Sequence, residues 1–183
     1  MSRIRDHDPL KQLIKSKLSK NSLFRDFTSN EISQLCNHLV GYKGNKGDAI
    51  FIEGRQAGYL CIIIDGSLDV VKDTGTGKSR KITDVLAGSM IGEMSLIDGE
   101  PHSATAIAAE PVLLAALTRQ SLADLVYENP ELGAKLYREM AVLISQRLRN
   151  TDAELVNYLA RMSAAQPVAD TSCESWLNLL NVR

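Results

Sequence analysis

Apolar positions follow different rhythms in different parts of the chain. From Leu10 to Leu39 the rhythm is helical: Leu10, Leu13, Ile14 and Leu18 form one stripe, and a second helix opens at Thr28-Ser29-Asn30-Glu31 and carries Ile32, Leu35, Cys36 and Leu39. Phe24 and Phe27 lie between the two. From Tyr42 onward the apolar residues come in short runs of β-formers cut by turns: Ala49 to Glu53, Leu60 to Ile64, Leu68 to Val71, Lys81 to Leu86, Ser103 to Ala108 and Val112 to Leu117. Eleven of the twelve glycines fall between Gly41 and Gly99, so the turn punctuation is confined to this middle part. Asp65-Gly66 is the strongest hairpin signal in it. Roughly eight short strands at such spacing predict a jelly roll or small barrel between helical ends.

Ile91 to Ile97 breaks the strand rhythm and predicts one helical turn inside the barrel wall. After the barrel, Ser121 to Tyr127 predicts a short helix, and Asn129-Pro130-Glu131 starts a long one with proline at its first position. Leu132, Leu136, Met140, Leu143, Ile144, Leu148, Leu155 and Leu159 recur at spacings that suit a helix-helix seam. A helix from Glu131 to Leu159 is therefore expected to dimerise in parallel, the alternative being packing on the chain's own barrel. Ser163 to Thr171 reads as a linker, and Trp176 to Leu180 as an apolar tip that needs a docking place.

Composition narrows the function classes. With 183 residues, 44% of them hydrophobic and 23% charged, the chain can bury a core and holds one domain plus extensions. Twenty-one basic against 22 acidic side chains leave a net charge of -1, so no global positive field exists to hold a nucleic-acid backbone. No apolar run approaches the ~20 residues that span a bilayer, and Met1 to Leu10 has no signal-peptide core, so a cytoplasmic protein without a membrane partner is expected. Cys36, Cys61 and Cys173 are too scattered for a disulfide framework or zinc site and are read as reduced and structural. His7, His38 and His102 lack metal-ligand spacing, and no nucleophile elbow occurs, so an enzyme, including a barrel-fold metallo-enzyme, is disfavoured and no cofactor is expected. Thr74-Gly75-Thr76-Gly77-Lys78-Ser79 ends like a phosphate-binding P-loop. Lys72 stands where the first glycine belongs, and a strand follows where a helix must begin, so it reads as a solvated hairpin loop.

The informative constellation is Ile91-Gly92-Glu93-Met94-Ser95-Leu96 followed by Pro101-His102-Ser103-Ala104-Thr105. A short helix with free first amides favours an anion, Gly92 permits close approach of a ligand to the backbone, Glu93 can accept hydrogen bonds from a sugar hydroxyl, and Ser103 can donate to a phosphate oxygen. The alternative makes Glu93 a complement to its own helix amides and Ser103 an ordinary strand residue.

This constellation resembles the phosphate-binding cassette of cyclic nucleotide-binding domains. Lys46-Gly47-Asp48-Ala49-Ile50-Phe51-Ile52-Glu53-Gly54 resembles the G-x-x-I-F-x-x-G strand of that family, Tyr59 to Val71 its central hairpin, and Phe24 to Leu39 with Leu122 to Leu148 its flanking helices. The resemblance covers roughly residues 22 to 150 in the family's order. It implies an eight-stranded β-roll of the cyclic nucleotide-binding type, with a glutamate on the ribose 2'-hydroxyl and an arginine on the cyclic phosphate. At the arginine position this chain has His102, a single donor in place of a bidentate permanent charge. A histidine facing a phosphate there would bind it more strongly as pH falls toward ~6. Arg80, Lys81 or Arg119 could supply the missing charge.

The expected organisation is thus a helical extension over 1–21, a cyclic nucleotide-binding-like domain over 22–150 that includes the start of the dimer helix, and the helix end, linker and apolar tip over 151–183. Gly92, Glu93, Met94, Ser95, His102 and Ser103 are the candidate ligand-binding residues. Only 24 residues follow Leu159, so no winged helix-turn-helix is expected after it, and no direct DNA binding. The resemblance then implies a stand-alone regulatory module, more like bacterial regulators than kinase subunits, that binds a cyclic nucleotide such as cAMP or cGMP and signals to a protein partner. The alternatives are a dimerisation scaffold that kept the fold but lost the ligand, and a receptor for a cyclic dinucleotide such as c-di-GMP. Trp176 is a candidate lid over the base.

Overall fold

The computed structural model describes residues 2–3, 8–56, 58–75 and 77–162. Strand β1 (Ser2–Arg3), helix α1 (Asp8–Leu18), a 3-10 turn (Ser22–Phe24) and α2 (Ser29–Asn37) precede the strands β2 (Val40–Gly44), β3 (Ala49–Phe51), β4 (Tyr59–Asp65), β5 (Ser67–Asp73), β6 (Ser79–Leu86) and β7 (Met90–Ile91). Helix α3 (Glu93–Asp98) interrupts them before β8 (Thr105–Ala108) and β9 (Val112–Thr118), and α4 (Arg119–Glu128) and α5 (Pro130–Met162) follow. Two antiparallel sheets result, in the orders β1-β2-β9-β4-β7 and β3-β8-β5-β6. The β-roll between helical ends expected from the sequence is the fold the chain adopts.

Period-two alternation explains the two longest apolar runs. Along β4, Leu60, Ile62 and Ile64 enter a core shared with the helices, while Cys61 and Ile63 enter the core between the two sheets. Along β9, Leu113, Ala115 and Leu117 go to the helical side and Val112, Leu114 and Ala116 to the inter-sheet side. Strands covered on both faces read as unbroken apolar runs, because neither face needs polar residues. Burial pushes the thiol pKa of Cys61 up to about 12 and that of Cys36 up to about 11, so both remain protonated.

One local expectation is corrected. Asp65-Gly66 does not close a hairpin: β4 pairs with β7 and β9, whereas β5 pairs with β6 and β8, so the turn carries the chain from one sheet to the other. Gly66 has φ +84°, and a Cβ there would lie 2.5 Å from the Pro111 carbonyl, so only glycine makes this crossing. The true hairpin is β5–β6, paired from Ser67↔Leu86 to Asp73↔Ser79 with one register shift between Val70 and Val71. Its loop is the P-loop look-alike, tied by the Thr74 N–H to the Lys78 carbonyl at 3.0 Å.

Helices α2, α4 and α5 start on side-chain caps. Thr28 and Glu31 form a reciprocal capping box on α2, the Thr28 N–H donating to Glu31 Oε2 at 2.7 Å and the Glu31 N–H to Thr28 Oγ1 at 3.2 Å. Asn129 Oδ1 accepts from the Leu132 N–H at 3.1 Å at the start of α5. Ile14 and Leu18 of α1 are buried, but Leu13 is 44% exposed, so the first apolar stripe is narrower than its sequence suggests. The described chain divides into two units, one ending at Ile144 and one beginning at Ser145. In the first, α5 buries Leu132, Leu136, Met140 and Leu143; in the second, Leu148, Leu155, Val156, Leu159 and Met162 are exposed. Ser163 to Thr171, Cys173 and the Trp176 tip lie outside the described residues. No helix among the described residues is long and apolar enough to cross a membrane.

Candidate functional site

The segment between β7 and β8 is built on two left-handed glycines. Gly92 (φ +87°) starts α3, and a Cβ there would meet Phe51 Cζ at 2.8 Å and the Tyr59 carbonyl oxygen at 3.0 Å. Position 92 therefore excludes any side chain, on conformational and steric grounds together. Gly99 (φ +82°) ends the helix, its N–H donating to the Ser95 carbonyl at 3.1 Å. Arg119, the first residue of α4, donates from Nη2 to the same carbonyl at 2.7 Å and covers Gly99. A guanidinium on the last carbonyls of a helix complements their partial negative charge.

Glu93 follows Gly92 and is 1% exposed, although it is ionisable. Its place in the first turn of α3 puts a carboxylate where the backbone N–H groups are not yet paired within the helix. Met94, beside it, is 47% exposed.

Ser95 and His102, seven residues apart, are brought together: Ser95 Oγ and His102 Nδ1 are 3.1 Å apart in a buried hydrogen bond. The His102 ring lies 4.1 Å from the Phe51 ring centroid and 6.4 Å from that of Tyr59. The backbone around it is fixed by two bonds to the β3–β4 connection, His102 N–H to Arg55 O at 3.1 Å and Gly54 N–H to His102 O at 2.9 Å. His102 Nε2 is buried and has no hydrogen-bond partner. Loss of hydration lowers the imidazole pKa below its ordinary value, so the neutral form persists to more acid pH than in a free histidine. Any strengthening of phosphate binding by protonation is displaced in the same direction, below the range expected from the sequence.

Ser103 is exposed, and its carbonyl accepts a hydrogen bond from Lys72 Nζ at 2.7 Å. Lys72 also pairs with Glu53 Oε1 at 3.4 Å, and Glu53 is held in turn by its Oε2 accepting from the Asp73 N–H at 3.0 Å. Lys72 is absent from the cations the sequence offered for this site. The period-two signal was present, since Leu68, Val70 and Lys72 alternate along one strand. Of the cations that were offered, Arg119 is engaged with Ser95, and Lys81 pairs with Asp69 at 2.8 Å and with Asp84. Arg80 stands opposite Lys72 in the β5–β6 register. Phe51 and Tyr59, unassigned from sequence, form the aromatic floor against which His102 packs, with the Tyr59 hydroxyl donating to Ile50 O at 2.9 Å. Among the described residues, no group of three or more His, Cys, Asp or Glu side chains is placed to hold a metal ion.

Comparison with known proteins places this segment in context. The model of the cyclic nucleotide-binding domain matches residues 44–129, a span that includes Gly92 to Thr105. A solved cyclic nucleotide-binding domain from Methylobacillus flagellatus KT is similar over 86% of this chain and 88% of its own, with 31% identity and a TM-score of 0.76. The catabolite activator protein of Thermus thermophilus is similar at 29% identity and TM-score 0.66, over 75% of this chain and 62% of that one. A CRP-like cAMP-activated global transcriptional regulator of Mycobacterium tuberculosis is 25% identical over 142 residues, 78% of this chain. The chain spans about 62% of the length of that regulator.

Proposed function

This chain belongs to the cyclic nucleotide-binding domain family, and from that premise we propose that it is a regulatory module whose cassette binds a cyclic purine mononucleotide, cAMP or cGMP, and relays occupancy to a partner protein. The observation that carries the reading is Glu93, an ionisable side chain 1% exposed inside a six-residue helix between two strands. Burying a carboxylate is costly, and packing alone would favour an apolar residue there. A ribose hydroxyl gives that carboxylate a use. In this reading the amides at Gly92 and Met94 face the phosphate, Ser95 orients the imidazole through Nδ1, and His102 Nε2 and Ser103 Oγ donate from the other side.

Signalling requires that the ligand bind two arrangements of the helices with different affinity; equal affinity switches nothing. Arg119 supports such coupling, because it joins the first residue of α4 directly to the Ser95 carbonyl of the cassette helix. The exposed apolar residues Leu148, Leu155, Leu159 and Met162 of α5 support a homodimer through that helix.

The thermal midpoint of the purified protein, alone and with millimolar cAMP, cGMP or cyclic di-GMP, tests the reading. A ligand at 100 times its dissociation constant adds about 2.7 kcal/mol, or several degrees for a chain of this size. A shift with cAMP or cGMP that is lost in Glu93→Ala is expected. A shift with cyclic di-GMP alone would reassign the ligand, and none with any of the three would favour a scaffold, the reading that the neutral, Phe51-packed His102 supports.

A further inference from the structure

The cassette offers little positive charge: its histidine is kept neutral by burial, and its arginine is already bonded to the Ser95 carbonyl. A phosphate placed beside α3 and β8 therefore meets no available permanent cation from those elements.

The neighbouring hairpin carries cations on the appropriate face. Leu68, Val70 and Lys72 alternate on one face of β5, and the pairing sets Val85, Thr83 and, past the register shift between Val70 and Val71, Arg80 opposite them on β6. On the other side of β5, Leu68 pairs with Ala108 and Val70 with Ala106. Leu68, Val85, Ala106 and Ala108 belong to the inter-sheet core, with Val70 packed against it, so this face points into the roll. Along it the hairpin passes from two largely apolar rungs to one that is cationic, Lys72 beside Arg80. Lys81 belongs to the opposite face, where Asp69 and Asp84 neutralise it. Lys72 is already drawn to the cassette: its ammonium is 2.7 Å from the carbonyl of Ser103, the residue next to His102. Glu53 is the carboxylate it pairs with, so Lys72, Arg80 and Glu53 together leave one positive charge in excess.

We propose that the β5–β6 hairpin supplies the positive charge for the ligand's phosphate, with Lys72 as the phosphate-binding residue and Arg80 adding to the local field. This rests on the reading of the cassette as a nucleotide site. Lysine is a compact charge on a flexible stem, able to move from the Ser103 carbonyl to a nearby phosphate oxygen, whereas arginine at position 102 would offer a fixed two-donor fork. The resulting attraction lies at a half-exposed rim and is weakened by salt.

The test is a binding titration with cAMP and cGMP, and with adenosine and guanosine as uncharged controls, on the wild type, Lys72→Met, His102→Arg and the double variant, at low and high sodium chloride. Lys72→Met is expected to weaken cyclic nucleotide binding about tenfold, the loss of one charge-assisted bond, and to leave nucleoside binding unchanged. In the His102→Arg background the same substitution should cost much less, because the fork then carries the phosphate. Wild-type binding of a cyclic nucleotide with no loss in Lys72→Met, or with equal losses for nucleotide and nucleoside, overturns this proposal and leaves the site reading intact. Absence of cyclic nucleotide binding by both the wild type and His102→Arg overturns the site reading and this proposal with it. Unchanged thermal midpoints of the ligand-free variants would show that folding is unaffected.

Discussion

His102 differs from the family's arginine in charge, and the fold enlarges that difference. Its ring is enclosed by Phe51, Tyr59 and Ser95, none of which offers a negative charge to stabilise an imidazolium. The folded-state pKa is therefore lower than the unfolded value of ~6.5, so the stability linked to the neutral form is complete above that pH. It is lost as pH falls through ~6.5 toward the folded value. Glu31, Asp48 and Asp69 are held below the usual carboxylate range by their hydrogen bonds, so the stability they contribute is lost only at more acid pH. Thermal midpoints of the ligand-free wild type should fall more between pH 7 and about 5 than those of His102→Asn, and parallel slopes would refute this assignment. Gly92, Glu93 and His102 were legible as parts of one short motif. The place of Lys72 was not, because it is fixed by a carbonyl 31 residues away.

Elements differ in how much of their packing is local. Strands β4 and β9 were readable as strands, and their continuous apolar character follows from cores on both faces. The Asp65-Gly66 turn was readable as a reversal, yet turn chemistry specifies a local backbone path and not which strands become partners. Helices α4 and α5 meet at Gly133, where a Cβ would lie 2.7 Å from Val126 Cγ2 and 3.2 Å from its Cα. Alanine is the better helix former by up to ~1 kcal/mol, but overpacking costs about 1 to 3 kcal/mol, and a backbone atom cannot turn aside as a side chain can. Gly133→Ala should therefore destabilise the protein by roughly 1 kcal/mol in urea denaturation, and a stabilised variant would show that the two helices separate freely.

At the scale of the whole molecule, α5 runs from a buried stripe in the first unit to exposed leucines in the second. Leu148, Leu155 and Met162 recur at seven residues, with Leu159 between the last two, which is the spacing of a two-helix seam. Sedimentation of the wild type is expected to give the mass of two chains, and Leu155→Asp with Leu159→Asp that of one, with an unchanged circular dichroism spectrum. A wild type that sediments as one chain would rule out the seam. The sequence by itself determined the β-roll between helices, the six-residue interruption with its glycine and glutamate, the helix starting at Pro130 and the absence of the arginine, since each is written in periodicity, turn residues or a short contiguous motif. Tertiary structure alone decided that Asp65-Gly66 joins two sheets, that Ser95 holds His102, that Arg119 closes α3 and that Lys72 reaches the cassette. Apart from the Ser95–His102 bond, which spans only seven residues, these depend on which distant backbone lies alongside, and long-range pairing is set by the joint burial of two cores that no local window contains.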